Sequence, residues 1–224
     1  DRSVSRGLGD VYKRQDIDVV GNVVNCDAFV PRADSEKHRG IRFLTVCYME
    51  EEAQLYKKGI DILIQAWAEV VKKYTDVKLV IGGGGSAKTK VEQWVEEQGI
   101  SKYVEFTGAL DRKQVIQEMQ SCDCFVLPSR YETFGVVYIE AMACGKPVIA
   151  VANGGPDDFV KPFNGLLIKP GAEELVQAFY EMIGHLTRGN YYQEEKISNY
   201  IKSKFSYEAI AEQLEAIYNS IKSA

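Results

Sequence analysis

"IRFLTVCYMEEEAQLYKKGIDILIQAWAEVVKKYTDVKLVIG", Ile41 to Gly82, reads as strand, loop, helix and strand. Ile41 to Cys47 is a short and mainly apolar run, as expected of a strand buried on both faces. After a polar loop, Ile60, Leu63, Ile64, Trp67, Val70, Val71 and Tyr74 recur at the spacing of one helical face. Val77 to Gly82 then returns to strand character. A strand, a crossover helix and a second strand make a parallel pair with right-handed connection.

The same alternation continues downstream. A glycine run leads to a helix near Lys88 to Gln98, then a strand at "YVEFTG" (Tyr103 to Gly108) and a helix from Asp111 to Ser121. "CFVLP" (Cys124 to Pro128), an apolar helix over Val136 to Cys144, "PVIAVA" (Pro147 to Ala152) and "GLLIK" (Gly165 to Lys169) follow, and the carboxyl end finishes in helices. The expected fold is α/β, a doubly wound, Rossmann-like parallel sheet covered on both faces.

Composition narrows the function. The chain has 224 residues, 46% hydrophobic and 26% charged, with a formal net charge of -5. Acids and bases are interspersed, so no basic field exists for a phosphate backbone and nucleic acid is excluded as an expected partner. Cys26, Cys47, Cys122, Cys124 and Cys144 lack paired spacing and lie far from both histidines, which favours reduced core thiols over disulfides or a metal site. No apolar run approaches the ~18 residues of a membrane span. A cytoplasmic location is expected, with peripheral contact at the inner membrane face left open.

In a doubly wound sheet, ligands bind beyond the carboxyl ends of the strands, so the loops there are the place to look for chemistry. Gly82 to Gly85 enter a helix at Ser86 and Ala87, which suits either an anion held on backbone amides or a purely structural turn. Lys57, Lys58 and Gly59 close the loop after the first strand. In "SRYETFGVVYIEAMACGKP" (Ser129 to Pro147), Glu132 precedes a helix that is apolar nearly all round, and Glu140 is that helix's only charge. A buried carboxylate needs a partner, either an internal one such as Lys146 or a backbone amide, or a ligand hydroxyl. Carboxylates for hydroxyls, with lysines and a helix amino terminus for phosphate, are the parts needed to hold a nucleotide sugar.

These blocks carry a family resemblance. "SRYETFGVVYIEAMACGKPVIAVANGGPDDFVKPFNGLLIKPG", with "YKKGIDILIQAW", "KLVIGGGG", "VEFTGAL" and "CDCFVLPS" in the same order, resembles the donor-binding, carboxy-terminal half of the retaining group 1 glycosyltransferases of GT-B fold, which carry a Glu, seven residues, Glu signature. The likeness covers about Asp16 to Ile221. "VVGNVVNCDAFVP" (Val19 to Pro31) resembles the strand and linker leading in from the acceptor half. The domain organisation this implies is an interdomain strand and linker at residues 16–40, a nucleotide-sugar domain at 41–200, and at 201–224 a terminal helix that packs on an amino-terminal domain. "SRGLGDVYKRQ" (Ser5 to Gln15) resembles a translated sequencing adapter, so residues 1–15 are expected to be non-native and native sequence upstream of Asp16 to be missing.

The resemblance also implies roles. Glu132 lies against the donor sugar and Glu140 holds the ribose hydroxyls, while Thr133, Phe134, Gly135 and Val136 meet sugar and diphosphate through their amides. Lys58 neutralises the leaving diphosphate, Ala109 and Leu110 contact the nucleobase, and Gly83 and Gly84 line the site. Cys47 and Tyr48 stand where many members carry Gly-Arg, so either Lys57 or Arg130 replaces that arginine's charge, Lys57 being the favoured residue, or the leaving diphosphate is less well stabilised and turnover is slower. The implied reaction moves a sugar from a UDP- or GDP-sugar to a hydroxyl on a glycan, lipid or small molecule, with retention and without a metal or other cofactor. The acceptor is held by the missing half, so little transfer is expected of this chain alone. The alternatives are a nucleotide-sugar epimerase or hydrolase, which needs an acid or base that neither His38 nor His185 is placed to supply, and a non-catalytic nucleotide-sugar-binding domain.

Overall fold

The computed structural model describes residues 19–32 and 39–223. Six strands, β1 (Ile41–Val46), β2 (Val77–Gly82), β3 (Val104–Gly108), β4 (Cys124–Leu127), β5 (Val148–Val151) and β6 (Gly165–Ile168), form one parallel sheet in the order β3-β2-β1-β4-β5-β6. The crossovers carry α1 (Glu52–Lys57) and α2 (Ile60–Lys73), α3 (Lys88–Glu97), α4 (Arg112–Ser121) and α5 (Val136–Ala143). Helices α6 (Ala172–Arg188), α7 (Glu194–Phe205) and α8 (Tyr207–Ser223) follow β6. The doubly wound architecture expected from the alternation is therefore present.

Burial explains why the strands are parallel and continuous. Every residue of β4 and β5 is buried, which only helices on both faces of a sheet can achieve. On one face, α2 packs against α6. There Phe43 of β1, Trp67 of α2 and Phe179 of α6 meet edge to face, with ring centroids 5.0 to 5.5 Å apart. Such contacts add roughly 0.5–1.5 kcal/mol per pair beyond the burial of their surface. Trp67 also donates its indole N–H to the Tyr103 carbonyl at 3.2 Å, so its polar atom is satisfied. On the opposite face, α7 packs on α5, and Phe134, Phe159 and Phe205 cluster at 5.4 to 6.0 Å.

The sheet order places the site. Both β2 and β4 flank β1, from which the chain winds outward in opposite directions. The loops after β1 and β4 diverge at this switch point and leave a crevice at the carboxyl edge.

Three expectations are corrected. Residues 19–32 form no strand: Val24 donates its amide to the Phe205 carbonyl (2.8 Å), and the Asn25 side chain caps a turn at Asp27 and Ala28. Val24 and Phe29 anchor the segment in the core while Gly21 lies against Phe205 and Phe134, so its apolar residues serve docking rather than pairing. The boundary at 201 cuts through α7, whose Ile197, Ile201 and Phe205 are buried as one stripe. The terminal helix begins after Ser206, which is extended (φ -67°, ψ 165°) and accepts the Ala209 amide on its hydroxyl at 3.2 Å, a new amino-terminal cap. On that helix Leu214, Tyr218 and Ile221 are exposed. Finally, Lys146 does not pair with Glu140; it bonds Glu194 of α7 at 2.6 Å.

All five cysteines are free and buried, and burial pushes the Cys47 thiol up to about 11. His185 lies on α6 and stacks on Tyr191 at 3.7 Å, whereas His38 and the adapter-like residues fall outside the described chain. No helix among the described residues is long and apolar enough to cross a membrane.

Candidate functional site

A cleft of about 590 Å³ opens at the switch point, within the size range of small-molecule sites. All eleven residues expected to form the site line it: Lys58, Gly83, Gly84, Ala109, Leu110, Glu132, Thr133, Phe134, Gly135, Val136 and Glu140. The strand-end loops bring them together across the edge of the sheet.

The loops after β1 and β2 form one wall. The Met49 amide donates to the Gly84 carbonyl (3.0 Å), Ala87 donates to Met49 (2.8 Å), and Gly83 donates to Gly108 (2.8 Å). These bonds need close backbone approach. A Cβ on Gly83 would sit 1.9 Å from the Cys47 carbonyl oxygen, and one on Gly85 would sit 2.3 Å from the Met49 carbonyl. The glycine run is therefore required for loop packing, and the Gly83 and Ala87 amides are already spent on it. That favours the structural-turn reading over an anion site at this helix start.

Lys58 and Glu132 line the same cleft as an ion pair. Lys58 caps the carboxyl end of α1, Glu132 lies in the loop after β4, and their Nζ–Oε2 distance is 2.6 Å, with side chains 28% and 12% exposed. The Arg130 amide also donates to the Lys57 carbonyl at 2.9 Å, tying the two loops together. Beyond Glu132 the chain turns at Gly135 (φ 89°) into α5, so Val136 and Val137 enter the cleft at the positive end of that helix's dipole.

Glu140 sits one turn further along α5 and is 6% exposed. Its partner is Arg112, whose Nη1 donates to Oε1 at 2.6 Å. Burial pushes the Glu140 carboxyl up, and the Arg112 charge acts against that rise. Arg112 opens α4, where Asp111 and Gln114 make a reciprocal capping box at 2.8 Å each way, and its guanidinium lies 4.5 Å from the centroid of the Phe29 ring.

Arg112 also lines the cleft, and the sequence reading missed it. A signal existed: "LDRKQ" carries a capping-box pattern directly after β3, which places Arg112 at a helix start on the ligand-binding edge.

The charge expected near Tyr48 is not where it was sought. Tyr48 lines the cleft mouth and is 81% exposed. Arg130 is committed to Asp61 through two bonds of 2.7 Å, while the Lys57 ammonium lies 5.3 Å over the Tyr131 ring and is not among the lining residues. Among the described lining residues the cations are Lys58 and Arg112.

Comparison with known proteins agrees with this geometry. The model of the family "Glycosyl transferases group 1" matches residues 52–185, from α1 to α6 and more than half of the chain. The phosphatidylinositol N-acetylglucosaminyltransferase gpi3 subunit of Schizosaccharomyces pombe is 27% identical over 96% of this chain and 46% of its own length. The GDP-mannose-dependent monoacylated alpha-(1-6)-phosphatidylinositol monomannoside mannosyltransferase of Corynebacterium glutamicum is 29% identical over 73% of this chain and 44% of its own length. The chain thus spans less than half the length of these relatives. Among solved structures, the sucrose-phosphate synthase of Thermosynechococcus elongatus superposes with a TM-score of 0.79 at 27% identity, covering 97% of this chain and 57% of that one. With the fold, the cleft and the family match in agreement, this chain belongs to the glycosyl transferases of group 1.

Proposed function

We propose that the chain is the donor-binding half of a retaining, metal-independent transferase that moves a sugar from a nucleoside diphosphate sugar to an acceptor hydroxyl. The observation that carries the reading is the shared cleft, which is lined by the Lys58–Glu132 ion pair, the first residues of α5 and Glu140. In this reading Glu140 accepts hydrogen bonds from the ribose diol and Glu132 from the donor sugar. Lys58 and the α5 dipole stabilise the negative charge that develops on the diphosphate as the glycosidic bond breaks, which is the task a divalent ion performs elsewhere. Retention follows from the resemblance to family members with the same Glu132 and Glu140 spacing.

The donor is a UDP- or GDP-sugar, and the relative from Corynebacterium glutamicum is GDP-mannose-dependent by name. A glycan, lipid or small-molecule acceptor is held by a second domain outside this chain. Both curated relatives have phosphatidylinositol in their names, which supports a lipid-linked acceptor and a peripheral position at the cytoplasmic membrane face.

Calorimetric titration of the chain with UDP and GDP tests the donor site. Weak but measurable binding of one nucleotide is expected, with Glu140→Ala lowering affinity by about tenfold or more because a charge-assisted acceptor is lost. Failure of the wild-type chain to bind either nucleotide overturns the donor-site assignment. Robust sugar transfer by the isolated chain overturns the assignment of the acceptor to another domain.

A further inference from the structure

We infer that Arg112 is a positioning residue of the donor cleft: it holds the Glu140 carboxylate in the orientation that reads the two ribose hydroxyls, and Phe29 holds Arg112. The inference rests on Glu140 being the ribose acceptor.

Glu140 projects from a helix otherwise apolar nearly all round, and its neighbours on that helix from Tyr138 to Ala143 are buried. A carboxylate in such a place has few ways to be fixed. Its Oε1 is bonded to Arg112 at 2.6 Å, which leaves Oε2 and the remaining lone pairs to accept from a diol. The other charged groups nearby are engaged elsewhere: Lys146 with Glu194 of α7, and Lys58 with Glu132 across the cleft. Tyr138 on this helix and Cys144, which caps its end, are both buried and burial raises both pKa values, so both stay neutral.

An arginine whose side chain is 62% exposed would ordinarily contribute little, because fixing it costs rotamer entropy. Two features lower that cost here. The capping box fixes the backbone of the first turn of α4, and the fully buried Phe29 provides a flat surface for the guanidinium. Because Phe29 belongs to the segment leading into the domain, the orientation of the ribose acceptor depends on a residue outside the sheet and its crossovers.

The test compares whichever of UDP and GDP binds the chain more tightly with its 2′,3′-dideoxy analogue. The wild type is expected to prefer the ribose form by roughly tenfold or more, the scale of a charge-assisted hydrogen bond. Arg112→Met should reduce that preference to about threefold or less, mainly by weakening the ribose form, and Glu140→Ala combined with Arg112→Met should add little, as expected for residues acting as one unit. Arg112→Lys retains the charge without the planar face and should recover part of the preference. Unchanged circular dichroism and unfolding midpoints for the Met and Lys variants establish that the fold is intact. Equal losses on both nucleotides, or an unchanged preference in Arg112→Met, overturn the role of Arg112 alone. A wild type with no preference overturns the ribose assignment and this inference together.

Discussion

On the proposed mechanism, replacing Lys58 with methionine in a full-length transferase is expected to lower kcat by ~10²–10³-fold, the scale of losing one preorganised donor to a developing oxyanion. Methionine retains most of the stem of the side chain and removes the charge. The cleft has two lining cations among the described residues, and Arg112 is occupied with Glu140, so among the described lining residues no second free cation is available to take over. The charge on the diphosphate is greatest as the sugar leaves, so kcat should fall by more than the donor KM rises. One complication is that Glu132, 12% exposed, loses its partner in this variant. Glu132→Gln and the double variant separate the two effects: loss of the ion pair appears in the coupling energy, loss of charge stabilisation in the Lys58→Met variant alone. Steady-state transfer at saturating donor is the measurement. A fall of less than about threefold would mean that Lys58 neutralises Glu132 and no more.

The sheet and its crossovers were legible because both signals are local. Strand runs such as Cys124 to Leu127 are wholly apolar, and the stripe on α2 repeats within its own fourteen residues. The cleft followed from topology, since a doubly wound order leaves few places for strand-end loops to converge. Pairings between elements were less accessible. Glu140 and Arg112 lie 28 positions apart and Lys58 and Glu132 lie 74 apart; the sequence pointed to Lys146 for Glu140 and to no partner for Glu132, and packing alone made both pairs. Lys146 was a reasonable partner for Glu140 by proximity in the chain, but α7 crosses α5 and presents Glu194 to it instead. The incoming segment failed as a strand for a similar reason: apolar pattern reports burial, and burial is possible without a neighbouring strand. Ser206 shows the limit at a helix boundary, where a single extended residue separates two helices whose apolar stripes are nearly continuous in sequence.

The glycine that follows Lys58 is expected to matter to stability as much as Lys58 does to turnover. Gly59 has φ 71°, and a Cβ built on it would lie 2.0 Å from the Pro128 carbonyl oxygen and 2.8 Å from the carbonyl carbon. Both atoms are backbone, so relief requires the loop after β4 to move. That loop is bonded to Lys57 through the Arg130 amide, and the Arg130 side chain reaches the Tyr56 carbonyl as well as Asp61. Gly59→Ala should therefore cost more than the ~1 kcal/mol of left-handed strain alone, on the order of 3 kcal/mol or more, a large share of the ~5–15 kcal/mol typical of a folded domain. Gly108 provides the internal comparison: its φ is similar (74°), but a Cβ there meets nothing within 4 Å. Gly108→Ala should cost about 1 kcal/mol, since only the backbone conformation opposes it. Urea unfolding of the two variants distinguishes strain from collision. Equal shifts in midpoint would show that φ accounts for both. A much larger shift at Gly59 would show that the site depends on close approach of the β1 and β4 loops, which sets Lys58 beside Glu132.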